Sequence, residues 1–141
     1  MPVRLQTASR LALLSVLDLA ADPDRQRSAG EIAAAYRVSL NHLAKVLRDL
    51  SRAGLVEAVR GVGGGYRFCG NAKRTTLLDI IEIFENVSSD ATVGPDGEKG
   101  SGAEAALSLI LKEIDDTVQA TLQSITIDTA VKLTRNLPSL S

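Results

Sequence analysis

The chain has 141 residues, of which 45% are hydrophobic and only 3% aromatic, so we expect one aliphatic-cored domain, or one small domain with a dimerisation element, rather than a disordered chain. No apolar run approaches the roughly 18 residues that span a bilayer, no signal-peptide pattern is present, and the single Cys69 excludes an internal disulfide, so a cytoplasmic protein is expected. Residues 1–75 hold 12 Lys/Arg against 6 Asp/Glu, whereas residues 76–141 hold 4 against 11, which predicts an anion-binding front and an acidic back unless the charges segregated by chance.

The first helical pattern runs from Leu5 to Ala21, where apolar residues recur at helical spacing and predict a long, buried helix. The segment Asp22-Pro23-Asp24 ends it, because proline disfavours helix at the residue before it. Ser28 and Glu31 then stand three apart as a capping box, which predicts the start of a short second helix.

A third helix is predicted from Leu40 to Ala53, with Ser39 as its N-cap and Gly54 as the residue that ends it. Two helices joined by a turn of three or four residues have the spacing of a helix-turn-helix. Two strand candidates follow, Leu55–Arg60 and Gly65–Cys69, and a glycine-rich turn joins them. A helix-turn-helix followed directly by a hairpin predicts a winged helix.

The C-terminal half is predicted to hold a helix from Leu77 to Asn86, an aperiodic loop from Ser88 to Gly102 and a long helix from about Ala103 to Ser124. The long helix carries a near-heptad apolar seam typical of a helix that packs along a partner. The alternative is packing on its own domain, for which a small domain offers little surface. The predicted dimer-interface residues are Leu107, Leu111, Ile114, Val118, Leu122 and Ile125.

The predicted fold is therefore mainly α, a winged helix-turn-helix domain with a small β-hairpin wing and a long C-terminal dimerisation helix. We divide the chain into a DNA-binding domain at 1–86, a flexible loop at 87–102, and the dimerisation helix with a C-terminal tail at 103–141.

One face of the third helix carries Asn41, Lys45, Arg48 and Arg52, which is too polar for a core. It is either a solvated surface or, because the second helix of a helix-turn-helix enters the major groove, a DNA-reading face. Asn41 can then pair with adenine and Lys45 with guanine acceptors. Arg48 and Arg52 are expected on phosphates, and His42 on either a phosphate or a base.

The segment Val59–Phe68 places four glycines between Arg60 and Arg67. Arg60 is expected in the minor groove, because a narrow A·T-rich groove concentrates negative potential. The glycines are expected to let the backbone approach the sugar-phosphate closely, although a plain tight hairpin is the alternative. These glycines are Gly61, Gly63, Gly64 and Gly65. No Gly-Lys-Ser/Thr follows, which excludes a nucleotide-binding phosphate loop.

These residues resemble the Rrf2 family of bacterial transcription regulators. The runs Ser39–Leu47 and Leu55–Tyr66 carry the resemblance, and Asn-His-Leu-x-Lys-Val is closest to the nitric-oxide-sensing branch; Arg4-Leu5 and the helix start at Thr76–Ile81 also fit. The resemblance implies a homodimeric winged helix on a palindromic or pseudo-palindromic operator in double-stranded DNA, and we expect the chain to be a repressor. The predicted DNA-contacting residues are Arg4, Ser39, Asn41, His42, Lys45, Arg48, Arg52, Arg60, Gly61, Gly63 and Gly64.

The departure from the family concerns the cofactor. Many sensing members hold an iron–sulfur cluster through three cysteines in the loop between the last two helices, whereas Ser88–Gly102 contains none. Cluster ligation relies on thiolates, and the acidic residues Asp90, Asp96, Glu98 and Glu104 are hard oxygen ligands. Arg10 stands where one branch has a carboxylate ligand. We therefore expect no conventional cluster, no other cofactor and no metal.

Cys69 is the remaining redox candidate. Arg67, Lys73 and Arg74 are its neighbours in sequence and predict a lowered thiol pKa, although a small residue without a role is the alternative. His42 is the one histidine, and we expect neither a His-based metal site nor a Ser/His triad within a chain; no catalytic constellation favours an enzyme. The competing function is a dimeric small-molecule-sensing or protein-interaction module that has lost DNA binding.

Overall fold

The computed structural model describes residues 5–61, 64–85 and 101–137, and the structural statements below concern those ranges. The elements in chain order are α1 (Thr7–Ala20), α2 (Ala29–Tyr36), α3 (Leu40–Arg52), β1 (Val56–Val59), β2 (Gly65–Phe68), α4 (Leu77–Phe84), α5 (Gly102–Ser124) and α6 (Ile127–Asn136). This order confirms the predicted helix-turn-helix followed directly by a hairpin.

Helix α1 lies at the centre of the core and packs against α3, α4, α6 and β2. Its apolar positions recur every three or four residues, so a broad stripe of the helix is covered on several sides. Each large aliphatic side chain that is fully buried contributes about 1.5–3 kcal/mol, and the core is aliphatic as predicted. Its members include Leu11, Val16, Leu19, Ile32, Leu43, Leu47, Leu50, Ile80, Ile127 and Val131.

The predicted capping box starts α2. The Oγ of Ser28 accepts a hydrogen bond from the backbone N–H of Glu31 at 3.0 Å, and the Glu31 carboxylate accepts one from the Ser28 N–H at 2.9 Å. That backbone hydrogen bond from Ser28 is the main reason why the pKa of Glu31 lies below its ordinary value. The two reciprocal bonds satisfy backbone donors that a helix start otherwise leaves unpaired.

Helices α2 and α3 both end in a Schellman motif, in which a left-handed residue lets the chain turn back on the last helical carbonyls. At the end of α2 that residue is Arg37, with φ 57° and ψ 46°, and the N–H of Val38 donates to the carbonyl of Ala33 at 3.1 Å. At the end of α3 it is Gly54, with φ 81°. Among the described residues, Arg37 is the one non-glycine residue at positive φ.

The wing is a two-stranded antiparallel sheet in which Val56 pairs with Phe68 and Val59 with Gly65. Strand β2 is also tied to the helical body, because Tyr66 and Arg27 exchange two backbone hydrogen bonds of 2.9 and 2.7 Å. The Tyr66 side chain packs partly against the core. The wing is therefore held at a fixed position relative to the start of α2.

The C-terminal segment differs from the prediction. Instead of a tail after Ser124, the chain forms α6, whose start is capped by the Thr126 hydroxyl as it accepts the N–H of Thr129 at 3.2 Å. Ile127 and Val131 of this helix are buried with the α1 residues in one core. Residues after 124 therefore contribute to the stability of the body that carries the helix-turn-helix.

Ile125 was predicted to lie on the dimer seam, and the structure corrects this placement. The residue follows the end of α5 in an extended conformation, with φ −104° and ψ 116°. Its carbonyl accepts a hydrogen bond from the N–H of Leu77 at 2.9 Å. Ile125 therefore joins the link between α5 and α6 to the start of α4, off the helical seam.

Within the described ranges, no helix is both long and apolar enough to cross a membrane.

Candidate nucleic-acid interface

The two sides of α3 have opposite characters. Leu43, Val46, Leu47 and Leu50 are between 0 and 2% exposed and fix the helix to the body. Because an α-helix advances about 100° per residue, positions three and four apart share a side, and a second such set faces away from the buried one. The outward side, called the α3 polar face below, is exposed to solvent, and consists of Asn41, Lys45, Arg48 and Arg52.

The first turn of α3 uses Ser39 as predicted for a cap, since its Oγ accepts the N–H of His42 at 3.1 Å. The His42 side chain is half-buried, and its Nε2 is buried and without a hydrogen-bond partner among the described residues. A DNA contact through that nitrogen would require the ring to turn outward. At the other end of the helix, Arg52 lies 4.0 Å from the Asp49 carboxylate. An exposed ion pair of this kind contributes little to the stability of the fold.

Two residues near the start of α3 were not predicted to belong to the site. Leu40, the first residue of the helix, is 53% exposed next to Asn41. An apolar side chain at this position can meet a thymine methyl group in the major groove. Arg37 is exposed in the turn before the helix. The sequence signal for both was their position beside Ser39, at the end of the helix that a helix-turn-helix presents to DNA.

The tip of the wing begins with Arg60, which is exposed and makes no ion pair with any residue of the described ranges. Gly61 follows with φ 106°, a conformation that disfavours any side chain. The N–H of Gly64 donates to the carbonyl of Gly61 at 2.9 Å and closes the turn. Gly63, like Arg4, lies outside the described residues.

At two positions of the wing, neighbouring backbone atoms leave no room for a side chain, so the fold itself requires glycine there. A Cβ on Gly64 would lie 2.4 Å from the carbonyl oxygen of Val59, and one on Gly65 would lie 2.4 Å from that of Arg27. A carbon atom cannot approach a backbone oxygen so closely. Gly65 is therefore required by an internal contact, and its close approach to DNA stays a prediction. Gly64 also has an internal cause, and its contact with DNA stays a prediction.

The second arginine of the wing, Arg67, is paired. It lies directly across the sheet from Glu57, and its Nε is 2.5 Å from the carboxylate. Opposite charges on facing strands attract and reduce the net charge of that part of the wing. On the wing, the positive charge that is available to a polyanion is therefore concentrated at Arg60.

Cys69 does not have the electrostatic surroundings that its sequence neighbours suggested. It is exposed, and its thiol donates to the carbonyl of Gly54 at 3.4 Å. Partial burial of the sulfur is the main cause that raises the thiol pKa, the Glu57 carboxylate raises it further, and Arg67 lowers it. The predicted lowering of the Cys69 pKa is therefore wrong, and the thiol is protonated at neutral pH.

Helix α5 is 23 residues long and contains no buried residue. Leu107, Leu111 and Ile114 of the predicted seam are 39–55% exposed, and Ile110, which was not predicted, is 56% exposed on the same side. Val118 and Leu122, nearer the end of the helix, are half-buried. The name α5 seam is used below for the five predicted residues that lie within the helix, which are Leu107, Leu111, Ile114, Val118 and Leu122.

Comparisons with known proteins agree with this architecture. A family model named Rrf2 and described as that of an iron-dependent transcriptional regulator matches residues 5–133. A relative from Rhodopseudomonas palustris, which is named as the HTH-type transcriptional regulator BadM, is 51% identical to this chain over 133 residues. These residues make up 94% of this chain and 84% of that protein. CymR, described as the global cysteine regulator of B. subtilis, superposes with a TM-score of 0.76 at 26% identity over 93% of this chain and 98% of CymR.

IscR of T. potens superposes with the same TM-score of 0.76, over 99% of this chain and 95% of that one, and its 22% identity supports the fold alone. The winged-helix fold is therefore confirmed, and the matched family consists of transcriptional regulators rather than enzymes.

The iron in the family description finds poor ligands in this chain. The sequence has one cysteine and one histidine, too few for a cluster held by thiolates. Within the described ranges no three His, Cys, Asp or Glu side chains come together in a metal-binding group. The acidic residues Asp90, Asp96 and Glu98 lie outside those ranges. The residues present do not fit a cysteine-ligated iron–sulfur cluster.

Proposed function

Because the chain belongs to the Rrf2 family of transcriptional regulators, we propose that it is a cytoplasmic, homodimeric repressor that binds a palindromic operator and works without a conventional iron–sulfur cluster. The observation that carries the proposal is the α3 polar face, an exposed row of one Asn and three cations opposite a fully buried apolar stripe. A helix held in this way has little freedom to change which face it presents.

Sequence reading is assigned to the start of α3, which in a helix-turn-helix points toward base edges. Asn41 has the donor and acceptor that match adenine, and Lys45 can reach guanine acceptors. Arg48 and Arg52 stand one and two turns further along and are assigned to phosphates, which set the register of the protein on the duplex. Arg60 at the wing tip is assigned to the minor groove.

The homodimer is supported by the exposure of the α5 seam. A helix that buries none of its own residues gains little from its domain, and isolated helices are only marginally stable in water. A second copy of α5 would cover Leu107, Leu111 and Ile114, and a two-fold symmetric pair uses the same patch on both protomers. Two-fold symmetry would present two α3 helices to two symmetry-related half-sites, which calls for a palindromic operator, and helix-turn-helix dimers use half-sites that lie roughly 34 Å, or a multiple of one helical turn, apart.

The cluster-free part of the proposal rests on the cysteine count and has its own test. Protein purified without oxygen is expected to be colourless. An iron–sulfur absorption band in the visible spectrum, together with iron and sulfide in the same preparation, would contradict it.

The DNA-binding part is tested by titrating the protein against DNA from upstream of its own gene at several salt concentrations. Binding is expected to weaken by orders of magnitude between about 50 and 200 mM salt, because each phosphate contact releases counterions. Lys45→Ala should weaken binding, whereas Lys132→Ala, which removes an α6 cation paired with Asp128 at 3.1 Å, should leave it unchanged. A dimer that shows no salt-dependent DNA binding, and that a metabolite stabilises, would instead support the competing sensing module.

A further inference from the structure

Arg37 occupies a backbone conformation that glycine ordinarily fills. Its φ of 57° and ψ of 46° lie in the left-handed region, where a Cβ crowds the following carbonyl oxygen. No other non-glycine residue of the described ranges has a positive φ. The conformation is imposed by the motif that ends α2, in which the N–H groups of Arg37 and Val38 return to the carbonyls of Ala34 and Ala33 at 3.4 and 3.1 Å.

The turn that ends α3 has a glycine at the position that corresponds to Arg37. Helix α3 ends in the same motif, and there the left-handed residue is Gly54, whose surroundings leave its missing side chain open space. An arginine at the end of α2 therefore destabilises a turn that glycine would form without strain. Fold stability alone gives no reason for a side chain at position 37.

The side chain has no partner within the protein. Arg37 is exposed, and its guanidinium makes no ion pair or hydrogen bond with any residue of the described ranges. Only Val38 and Ser39 separate it from the first residue of α3. Because the start of the second helix enters the major groove while the first helix crosses the backbone, the turn between them lies beside the phosphates at the edge of the groove.

We infer that Arg37 is a phosphate-binding residue that positions α3 on DNA, and that its strained backbone is kept for this contact. The inference rests on the proposed DNA-binding function. A guanidinium in this position can hold a phosphate through two parallel hydrogen bonds. The contact fixes how deeply the start of α3 enters the groove, and it is indifferent to base sequence because phosphates are common to all bases.

The test compares Arg37→Gly and Arg37→Lys with the wild-type chain. Arg37→Gly removes both the charge and the strain, so we expect its Tm to rise by about 2–4 °C while DNA binding weakens equally on operator and non-operator duplexes. The slope of log affinity against log salt should become shallower by about two, since a dimer carries two copies of the residue. Arg37→Lys keeps the charge and the strain, so its Tm should not rise and most of the slope should remain.

The opposite movement of stability and affinity in one variant separates a DNA contact from a structural role. An Arg37→Gly protein that is more stable and binds DNA with the wild-type slope would overturn the inference alone. So would an equal loss of slope in Arg37→Lys, or an Arg37→Gly protein that is less stable than the wild type. A wild-type protein without any salt-dependent DNA binding would overturn the proposed function together with the inference.

Discussion

Arg27 and Tyr66 exchange two backbone hydrogen bonds, of 2.9 and 2.7 Å, and so join the segment before α2 to the second strand of the wing. Arg27 also forms an ion pair with Asp18 of α1. The wing, the helix-turn-helix and the central helix are therefore linked at one point. This link fixes the position of Arg60 relative to the α3 polar face, on which simultaneous contact with two grooves depends.

The absence of a side chain at Gly65 lets β2 approach the backbone of Arg27 closely, and replacing Gly65 should break the link between Arg27 and Tyr66. A Cβ at this position would lie 2.4 Å from the carbonyl oxygen of Arg27 and 2.8 Å from the nitrogen of Ser28. Since the obstructing atoms are backbone, we expect Gly65→Ala to destabilise the fold by about 2 kcal/mol or more in urea denaturation and to weaken DNA binding.

Gly30→Ala is the matched control for this substitution. Gly30 lies in α2, and a Cβ there would be 3.8 Å from the Ser28 hydroxyl, an ordinary contact. Because alanine is the better helix former, Gly30→Ala should stabilise the fold by about 0.5–1 kcal/mol. Equal effects of the two substitutions would show that Gly65 is not held against Arg27.

Two serine-to-alanine substitutions are expected to have opposite signs. Ser28→Ala removes the cap of α2 and should cost about 1 kcal/mol. Ser15 lies fully buried in α1, and its hydroxyl has no hydrogen-bond partner among the described residues. Ser15→Ala removes an unsatisfied buried group and should be neutral or stabilise by up to about 1 kcal/mol. Thermal denaturation of both variants measures the difference, and a large loss of stability in Ser15→Ala would indicate a buried partner such as a water molecule.

Cys69 should react slowly with iodoacetamide at neutral pH. Its raised pKa keeps the thiol protonated, so alkylation should accelerate only above the pH range in which ordinary cysteines become reactive. Since the folded state favours the protonated thiol, the small stabilisation from this group is present at low pH and is lost as the pH rises through the raised pKa. Glu57→Gln removes a charge that raises the pKa and should speed alkylation, whereas Arg67→Ala should slow it. Changes in the same direction would contradict these assignments.

Local sequence patterns were sufficient to predict the helices that carry the candidate site. Ser28 and Glu31 predicted the start of α2, and the spacing of Leu43, Leu47 and Leu50 predicted which side of α3 is exposed. These features depend on residues three to four apart, whose relation follows from helix geometry alone.

The features of the structure that the sequence did not predict have non-local causes. The contact of Gly65 with Arg27 joins segments far apart in the chain, and no periodicity signals it. The pKa of Cys69 is raised first by partial burial of the sulfur and then by Glu57, which β-pairing brings near, and the neighbouring Lys73 and Arg74 are not among its causes. Helix α6 was missed because its pattern is short and its stability comes from packing on α1, although Thr126 with Thr129 was a capping signal.

Arg60→Ala should weaken DNA binding and reduce the preference for A·T-rich sequence next to the half-sites, because a narrow minor groove attracts arginine. A loss of about 1–3 kcal/mol in binding free energy is expected. Arg67→Ala on the same wing is the control, since Arg67 is paired with Glu57 at 2.5 Å and should contribute much less. Fluorescence anisotropy on duplexes with A·T-rich and G·C-rich flanks measures both. If Arg60→Ala leaves affinity and flank preference unchanged, the wing does not contact DNA as proposed.

The α5 seam should hold the dimer together, and a charge placed within it should separate the protomers. Leu111 is 39% exposed in one chain and would be covered by the partner's α5, so Leu111→Asp would bury a carboxylate without a partner and should produce a monomer in sedimentation experiments. Leu109 is 67% exposed on the same helix but stands about 200° around its axis from Leu111. Leu109→Asp should therefore remain dimeric. Because a monomer holds only one half-site, Leu111→Asp should also lose most of its operator affinity, and a Leu111→Asp protein that stays dimeric would place the interface elsewhere.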